Sequence, residues 1–175
     1  MVSGVVQWLL FGHDVRESGL FDEHYYLERY RGVAQGRINP LFHYFVFGGA
    51  EERQPNFLFD TGYYLAHNPD VAASRVNPLV HYLKWGGYEG RNPHPHFDSA
   101  YYLEQNPDVR ELGLNPLAHY LGPGTPEGRK PNRWFDPAAY LDQHPHVAVS
   151  APNPLVHYLM AKRDAPWHSS EIPGV

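Results

Sequence analysis

The chain has 175 residues, with 14 Lys and Arg against 19 Asp and Glu and a formal charge of −5 when histidine is neutral. That balance excludes the basic footprint by which proteins hold nucleic-acid phosphates, and the absence of cysteine excludes disulfides, thiolate nucleophiles and cysteine-ligated metal centres. The length admits one compact domain or a short repeat array and leaves no room for two enzyme domains of ordinary size.

Met1-Val2-Ser3-Gly4 carries no basic n-region, and the longest apolar stretches, 5–12 and 41–49, fall far short of the roughly 18–20 residues that cross a bilayer. The expectation is a cytoplasmic chain with neither transmembrane segment nor signal peptide. Gln7-Trp8-Leu9-Leu10-Phe11-Gly12 reads as a second helix lacking its first, which makes residues 1–20 an N-terminal capping half-repeat.

From there the sequence repeats. Phe-Asp occurs at Phe21-Asp22, Phe59-Asp60, Phe97-Asp98 and Phe135-Asp136, each 38 residues after the last. Asn-Pro-Leu, followed one residue later by His-Tyr, begins at Asn39, Asn77, Asn115 and Asn153 with the same spacing. The fold class is therefore all-α: an α-solenoid of four 38-residue two-helix repeats, 21–58, 59–96, 97–134 and 135–167, with a flexible tail over 168–175.

Within the second copy, Asp60 is a good N-cap and Phe59 lies where a hydrophobic staple meets Tyr64. Phe21/Tyr26, Phe97/Tyr102 and Phe135/Tyr140 repeat that pairing, and Pro137 takes a first helical position. Asn68-Pro69 stops the first helix near His67 and caps a short turn through Asp70 and Val71, as Asn106-Pro107 does again. The second helix starts at Asn77-Pro78, with Leu79, Tyr82 and Leu83 as its apolar stripe. Gly86, like Gly48 and Gly124, is expected to end it as a left-handed C-cap, and Glu89-Gly90-Arg91-Asn92-Pro93 leads on. In the fourth copy Lys162-Arg163-Asp164-Ala165 replaces the glycine and the connection. Helices of this length are marginal alone, so neighbouring copies must bury them.

The run Phe59-Asp60…Tyr63-Tyr64-Leu65…Asn68-Pro69-Asp70-Val71…Asn77-Pro78-Leu79-Val80-His81-Tyr82-Leu83…Gly86…Glu89-Gly90-Arg91-Asn92-Pro93 resembles a short repeat of bacterial proteins. That repeat often stands beside glycosyltransferase domains of surface-polysaccharide synthesis. The resemblance covers nearly the whole chain; copies two and three match closely. Copy one departs at Tyr30-Arg31-Gly32-Val33, and copy four at His144-Pro145-His146 and after Tyr158. It implies a neighbourhood of function, glycan assembly, and transfers no active site.

Among residues with chemistry, His43, His81, His119 and His157 occupy one place in each copy. A metal needs two or more imidazole nitrogens about 2 Å from one ion, whereas equivalent residues of stacked helical units lie roughly 8–10 Å apart or more. The simpler reading is that each histidine makes a hydrogen bond inside the stack. His94-Pro95-His96 and His144-Pro145-His146 place pairs in loops, and two ligands do not make a site. Arg53, Arg91 and Arg129 either clamp an anionic ligand or tie loop carbonyls or an acidic side chain of the adjoining copy. Residues present in every copy serve the architecture, so positions that differ between copies are the better guide to binding. Trp85, Tyr88, His96 and Trp134 are the candidates, as aromatic platforms for a protein or a sugar ring or as the edge of the core.

No catalytic, cofactor-binding or metal-binding residue is assigned. The expected function is a non-enzymatic interaction module with a protein partner, for which the resemblance points to a glycosyltransferase or other glycan-assembly component. The alternatives are a carbohydrate-binding module and, less favoured, an enzyme subunit associated with a glycosyltransferase.

Overall fold

The computed structural model describes residues 3–147 and 153–164. Its described residues are all-α, with twelve α-helices, no strand, and two isolated β-bridges in loops. α1 (Gly4–Glu17) precedes unit 1, which contains α2 (Glu23–Arg29), α3 (Arg31–Gln35) and α4 (Pro40–His43). Unit 2 contains α5 (Thr61–His67), α6 (Pro69–Ser74) and α7 (Pro78–His81), and unit 3 α8 (Ser99–Gln105), α9 (Pro107–Glu111) and α10 (Pro116–His119). α11 (Pro137–Gln143) and α12 (Pro154–Asp164) belong to unit 4; the tail expected over 168–175 lies outside the described residues.

The repeated residues do the work their chemistry suggests at both helix starts. The carboxylates of Asp22, Asp60 and Asp98 accept from Tyr25 N, Tyr63 N and Tyr101 N, each at 2.9 Å. Asn39, Asn77, Asn115 and Asn153 cap the later helix in the same way. The staple is present in every unit, with Phe21–Tyr26, Phe59–Tyr64, Phe97–Tyr102 and Phe135–Tyr140 ring centroids 5.1–5.5 Å apart.

Two local expectations are corrected. Asn68 makes no N-cap bond to α6; its amide instead donates to Tyr64 O at 2.7 Å and closes the end of α5, as Asn106 does for α8. The segment it leads into is a short helix of its own, so units 1–3 each hold three helical segments. Gly48, Gly86 and Gly124 are not left-handed. Each ends a π-helical turn, Tyr44–Gly48, Tyr82–Gly86 and Tyr120–Gly124, that continues α4, α7 and α10. The left-handed residue falls four places later, at Glu52 (φ 56°), Gly90 (φ 76°) and Gly128 (φ 69°).

The π turns are held by i+5 bonds, Gly49 N to Tyr44 O at 2.8 Å and Gly87 N to Tyr82 O at 2.9 Å. In unit 3, where Pro123 interrupts the turn, the Thr125 hydroxyl donates to Tyr120 O instead, at 2.5 Å. α12 has Lys162 in place of the glycine and runs on as regular α-helix.

The core is a row of tyrosines. Tyr26, Tyr44, Tyr64, Tyr82, Tyr102 and Tyr120 are all fully buried, and the two of each unit meet edge to face, with centroids 5.7–5.9 Å apart, the arrangement that ring quadrupoles favour. Their hydroxyls join the units: Tyr44 OH lies 3.3 Å from Thr61 Oγ1 and Tyr82 OH 3.0 Å from Ser99 Oγ. Unit 4 has Pro137 at that place, and Tyr120 OH donates to Asn153 Oδ1 at 3.3 Å. Burial raises the pKa of these tyrosines and keeps them neutral.

α1 does more than close the end of the stack. Its Trp8 ring meets Phe42 of unit 1, and the Gln7 amide bridges the start of α7, accepting from Asn77 N at 2.7 Å and donating to Arg75 O at 3.2 Å. Asp14 pairs with Lys84 at 2.5 Å. One helix thus straps units 1 and 2 together.

Candidate functional site

The four repeated histidines face tyrosine. Nδ1 of His43, His81, His119 and His157 lies 3.1, 2.9, 2.9 and 2.7 Å from the hydroxyls of Tyr26, Tyr64, Tyr102 and Tyr140, always 17 residues earlier in the same unit. Burial, and then the positive field of Arg53, Arg91 and Arg129, lowers the pKa of His43, His81 and His119 respectively. A tyrosine-bound imidazole that resists protonation is a neutral piece of architecture. The glycine belongs to the same device: a Cβ on Gly48, Gly86 or Gly124 would overlap the tyrosine hydroxyl.

The repeated arginines are also spent internally, within their own unit rather than on the adjoining one. Arg91 pairs with Glu89 at 2.6 Å and with Asp70 at 2.8 Å, and donates to Asn68 Oδ1 at 3.0 Å. Arg129 repeats this with Glu127, Asp108 and Asn106, holding the Asp108 carboxyl down at about 2. In unit 1, where Tyr30 replaces the asparagine, Arg53 keeps Glu51 and places its guanidinium 4.9 Å from the Tyr30 ring centre.

The two His-Pro-His loops differ. His94 takes the place held by Asn56 and Asn132, and its Nδ1 accepts from His96 N at 3.1 Å much as Asn56 Oδ1 accepts from Leu58 N at 2.7 Å. Burial, aided by His96, pushes its pKa down to about 4. His144 and His146 come near His157, with ring centroids 6.3 and 5.6 Å from it. Among the described residues no three His, Asp or Glu side chains are arranged to hold a metal ion.

The four residues singled out for binding fall into two groups. Trp85 and Tyr88 stand at the end of the unit 2 π turn, 47% and 46% exposed, with the Trp85 ring 5.7 Å from His81. His96 and Trp134 meet edge to face at 5.1 Å. Trp134 is 47% exposed and also touches Tyr158. No ring contact among the described residues joins one group to the other.

Trp134 has a structural explanation in the repeat. Leu20, Leu58, His96 and Trp134 occupy one register; the first two are fully buried, His96 is half-buried and Trp134 is open. The rung is more exposed toward the last described unit. Trp85 has no such gradient, since Phe47 at its place in unit 1 is equally exposed.

Each histidine's hydrogen bond inside the stack is as expected; its tyrosine partner, at a constant spacing of 17 residues, and the glycine 5 residues after the histidine in units 1–3 were missed from sequence. The 21-residue spacing of Asp70 and Arg91, repeated by Asp108 and Arg129, is a similar signal. Comparison with protein-family models, curated proteins and solved structures found no match.

Proposed function

We propose that the chain is a non-enzymatic helical-repeat module that binds a protein partner. One observation carries this reading: the Tyr–His pairs of all four units and the repeated arginines of units 1–3 are engaged internally, while large exposed rings, Phe47, Trp85, Tyr88 and Trp134, stand where the units differ. A preordered array offers such rings with little conformational entropy left to lose on binding. The sequence resemblance favours a partner in bacterial glycan assembly, a glycosyltransferase or a companion of one.

A second reading, carbohydrate binding, draws on the paired rings of His96 and Trp134, which offer an apolar face beside hydrogen-bonding nitrogens. Affinity capture from the source cell, in parallel with a glycan array, separates the two. A specific, saturable protein partner and a blank array support the first reading; binding of one glycan class by the array reverses it.

A further inference from the structure

Unit 4 departs from its neighbours at one cluster. In unit 2 the Arg91 guanidinium sits on Asn68 Oδ1 at 3.0 Å and on the Asp70 carboxylate at 2.8 Å, and in unit 3 Arg129 sits on Asn106 and Asp108 in the same way. The same places in unit 4 hold His144 and His146. At the arginine's place, 38 residues after Arg129, the sequence has Trp167, which lies outside the described residues. Both oxygen acceptors and the arginine are thus exchanged together.

The backbone beneath the exchange is the same. Val147 N donates to His144 O at 2.9 Å, as Val71 N does to Asn68 O at 3.0 Å and Val109 N to Asn106 O at 3.1 Å, and all three valines are buried. What differs is side-chain chemistry. The repeated histidine of the unit, His157, stands beside the two newcomers, and the ring centroids of His144, His146 and His157 lie 5.6–6.3 Å apart.

Three imidazoles bound through nitrogen at about 2 Å to one tetrahedral ion have centroids about 5 Å apart. The rings as they stand do not converge on one point. His146 is exposed and His144 half-buried, so rotation about their side-chain bonds can close the difference of about 1 Å.

Each ring has to give one nitrogen only. Nδ1 of His157 faces the Tyr140 hydroxyl at 2.7 Å, which leaves Nε2 for an ion and supplies the outer hydrogen bond that metal-bound imidazoles ordinarily have. The set holds no carboxylate, so calcium and magnesium, which take oxygen, do not suit it, whereas imidazole suits zinc, copper and nickel. Three imidazoles with water in a fourth, solvent-facing place is a geometry of zinc.

We propose that His144, His146 and His157 bind one zinc ion, which ties the end of α11 to α12 and takes the place in unit 4 of the guanidinium at the centre of the cluster in units 2 and 3. The proposal is independent of the reading of the chain as an interaction module.

The test titrates zinc(II) into the untagged full chain against a chromophoric chelator, with cobalt(II) in parallel as a coloured report of coordination geometry. One equivalent of zinc is expected, together with the strong visible absorption of four-coordinate cobalt. His144→Asn, which restores the residue of units 2 and 3, and His146→Ala should each weaken zinc at least tenfold. Zinc should raise the melting temperature of the parent chain and of neither variant. His94→Asn/His96→Leu, which carries the residues of unit 1 at those places, should bind as the parent does.

His157→Gln separates a built site from a chelating pair. A folded His157→Gln chain weakened at least tenfold supports the site. Zinc held equally well without His157 is an adventitious ion only, on the His-Pro-His loop, and overturns the proposal. Zinc lost with His94 and His96, or no stoichiometric zinc at all, overturns it too. If His157→Gln does not fold, the cobalt spectrum of the parent decides: four-coordinate absorption supports the site, and the weak absorption of a six-coordinate ion overturns it.

Discussion

The Tyr64 hydroxyl lies 2.9 Å from Nδ1 of His81, in the space that a side chain on residue 86 would occupy. The glycine is therefore kept for volume, not for its freedom to adopt left-handed torsions. Gly86→Ala must displace the hydroxyl or deform the π turn, and a cost of about 2–4 kcal/mol is expected from overpacking and the strained hydrogen bond. Tyr64→Phe should cost about 1–2 kcal/mol by orphaning the imidazole nitrogen. In a double-mutant cycle the two should fall short of additivity by at least ~1 kcal/mol, because the phenyl ring leaves room for the methyl. Additive denaturation energies would mean that the glycine serves something other than the tyrosine.

Acid should weaken the protein before its carboxylates titrate. Burial lowers the folded-state pKa of His43, His81, His94, His96 and His119. Protonation thus favours the unfolded chain, whose histidines titrate near 6.5. Their contribution is complete above that value and is lost as pH falls from it, down to about 4 for His94, a loss on the order of 3 kcal/mol for that residue. Below this range Asp70 and Asp108, whose pKa values are depressed by Arg91 and Arg129, continue the decline. His94→Asn, the residue at this place in units 1 and 3, should hold stability at pH 7 and flatten the profile between 6.5 and 4. An unchanged slope in urea melts across that range would remove His94 from the account.

Much of this fold was legible because the repeat states each constraint several times. Phe59 and Tyr64 at staple spacing, and Asp60 and Asn77 as caps, are local rules that a short window contains. The π turn was not legible: Tyr82 to Gly86 has the composition of an ordinary helix end, and the Tyr64 hydroxyl that a side chain on residue 86 would overlap comes from outside any local window. Asn68 was misassigned for a similar reason. Asparagine before proline is a good N-cap by propensity, yet its amide found the nearer orphan carbonyl of Tyr64, and Arg91 took its oxygen. α1 was read from an apolar pattern alone, which cannot reveal that Gln7, a polar residue, would be among its most buried side chains.

Deletion of whole units should separate the repeat from the strap. Removing 97–134 joins equivalent surfaces, and the product should fold with reduced stability, as a shortened nearest-neighbour array does. Removing 59–96 also takes away Asn77 and Lys84, the partners of Gln7 and Asp14; Asn115 would follow in place of Asn77, but Gly122 would replace the lysine. The second deletion should melt at a lower temperature than the first. Equal melting of the two would show that α1 adds little beyond covering the end.

Binding and folding should come apart at the tryptophans. Tyr64→Ala truncates a fully buried ring and should cost about 3–5 kcal/mol, so that any binding it loses is lost through unfolding. Trp85 is half-exposed at a position where unit 1 has Phe47 and unit 3 Pro123, so the architecture accepts very different side chains there. Trp85→Ala should therefore change stability by less than about 1 kcal/mol while weakening a captured partner at least tenfold, as anchor residues do. Trp134→Ala should cost more stability, because its ring packs on His96, Phe135 and Tyr158. Thermal melts and titration calorimetry on the same preparations read both quantities. If Trp85→Ala leaves affinity per folded molecule intact and Trp134→Ala does too, these rings are core edge, and recognition belongs to another surface.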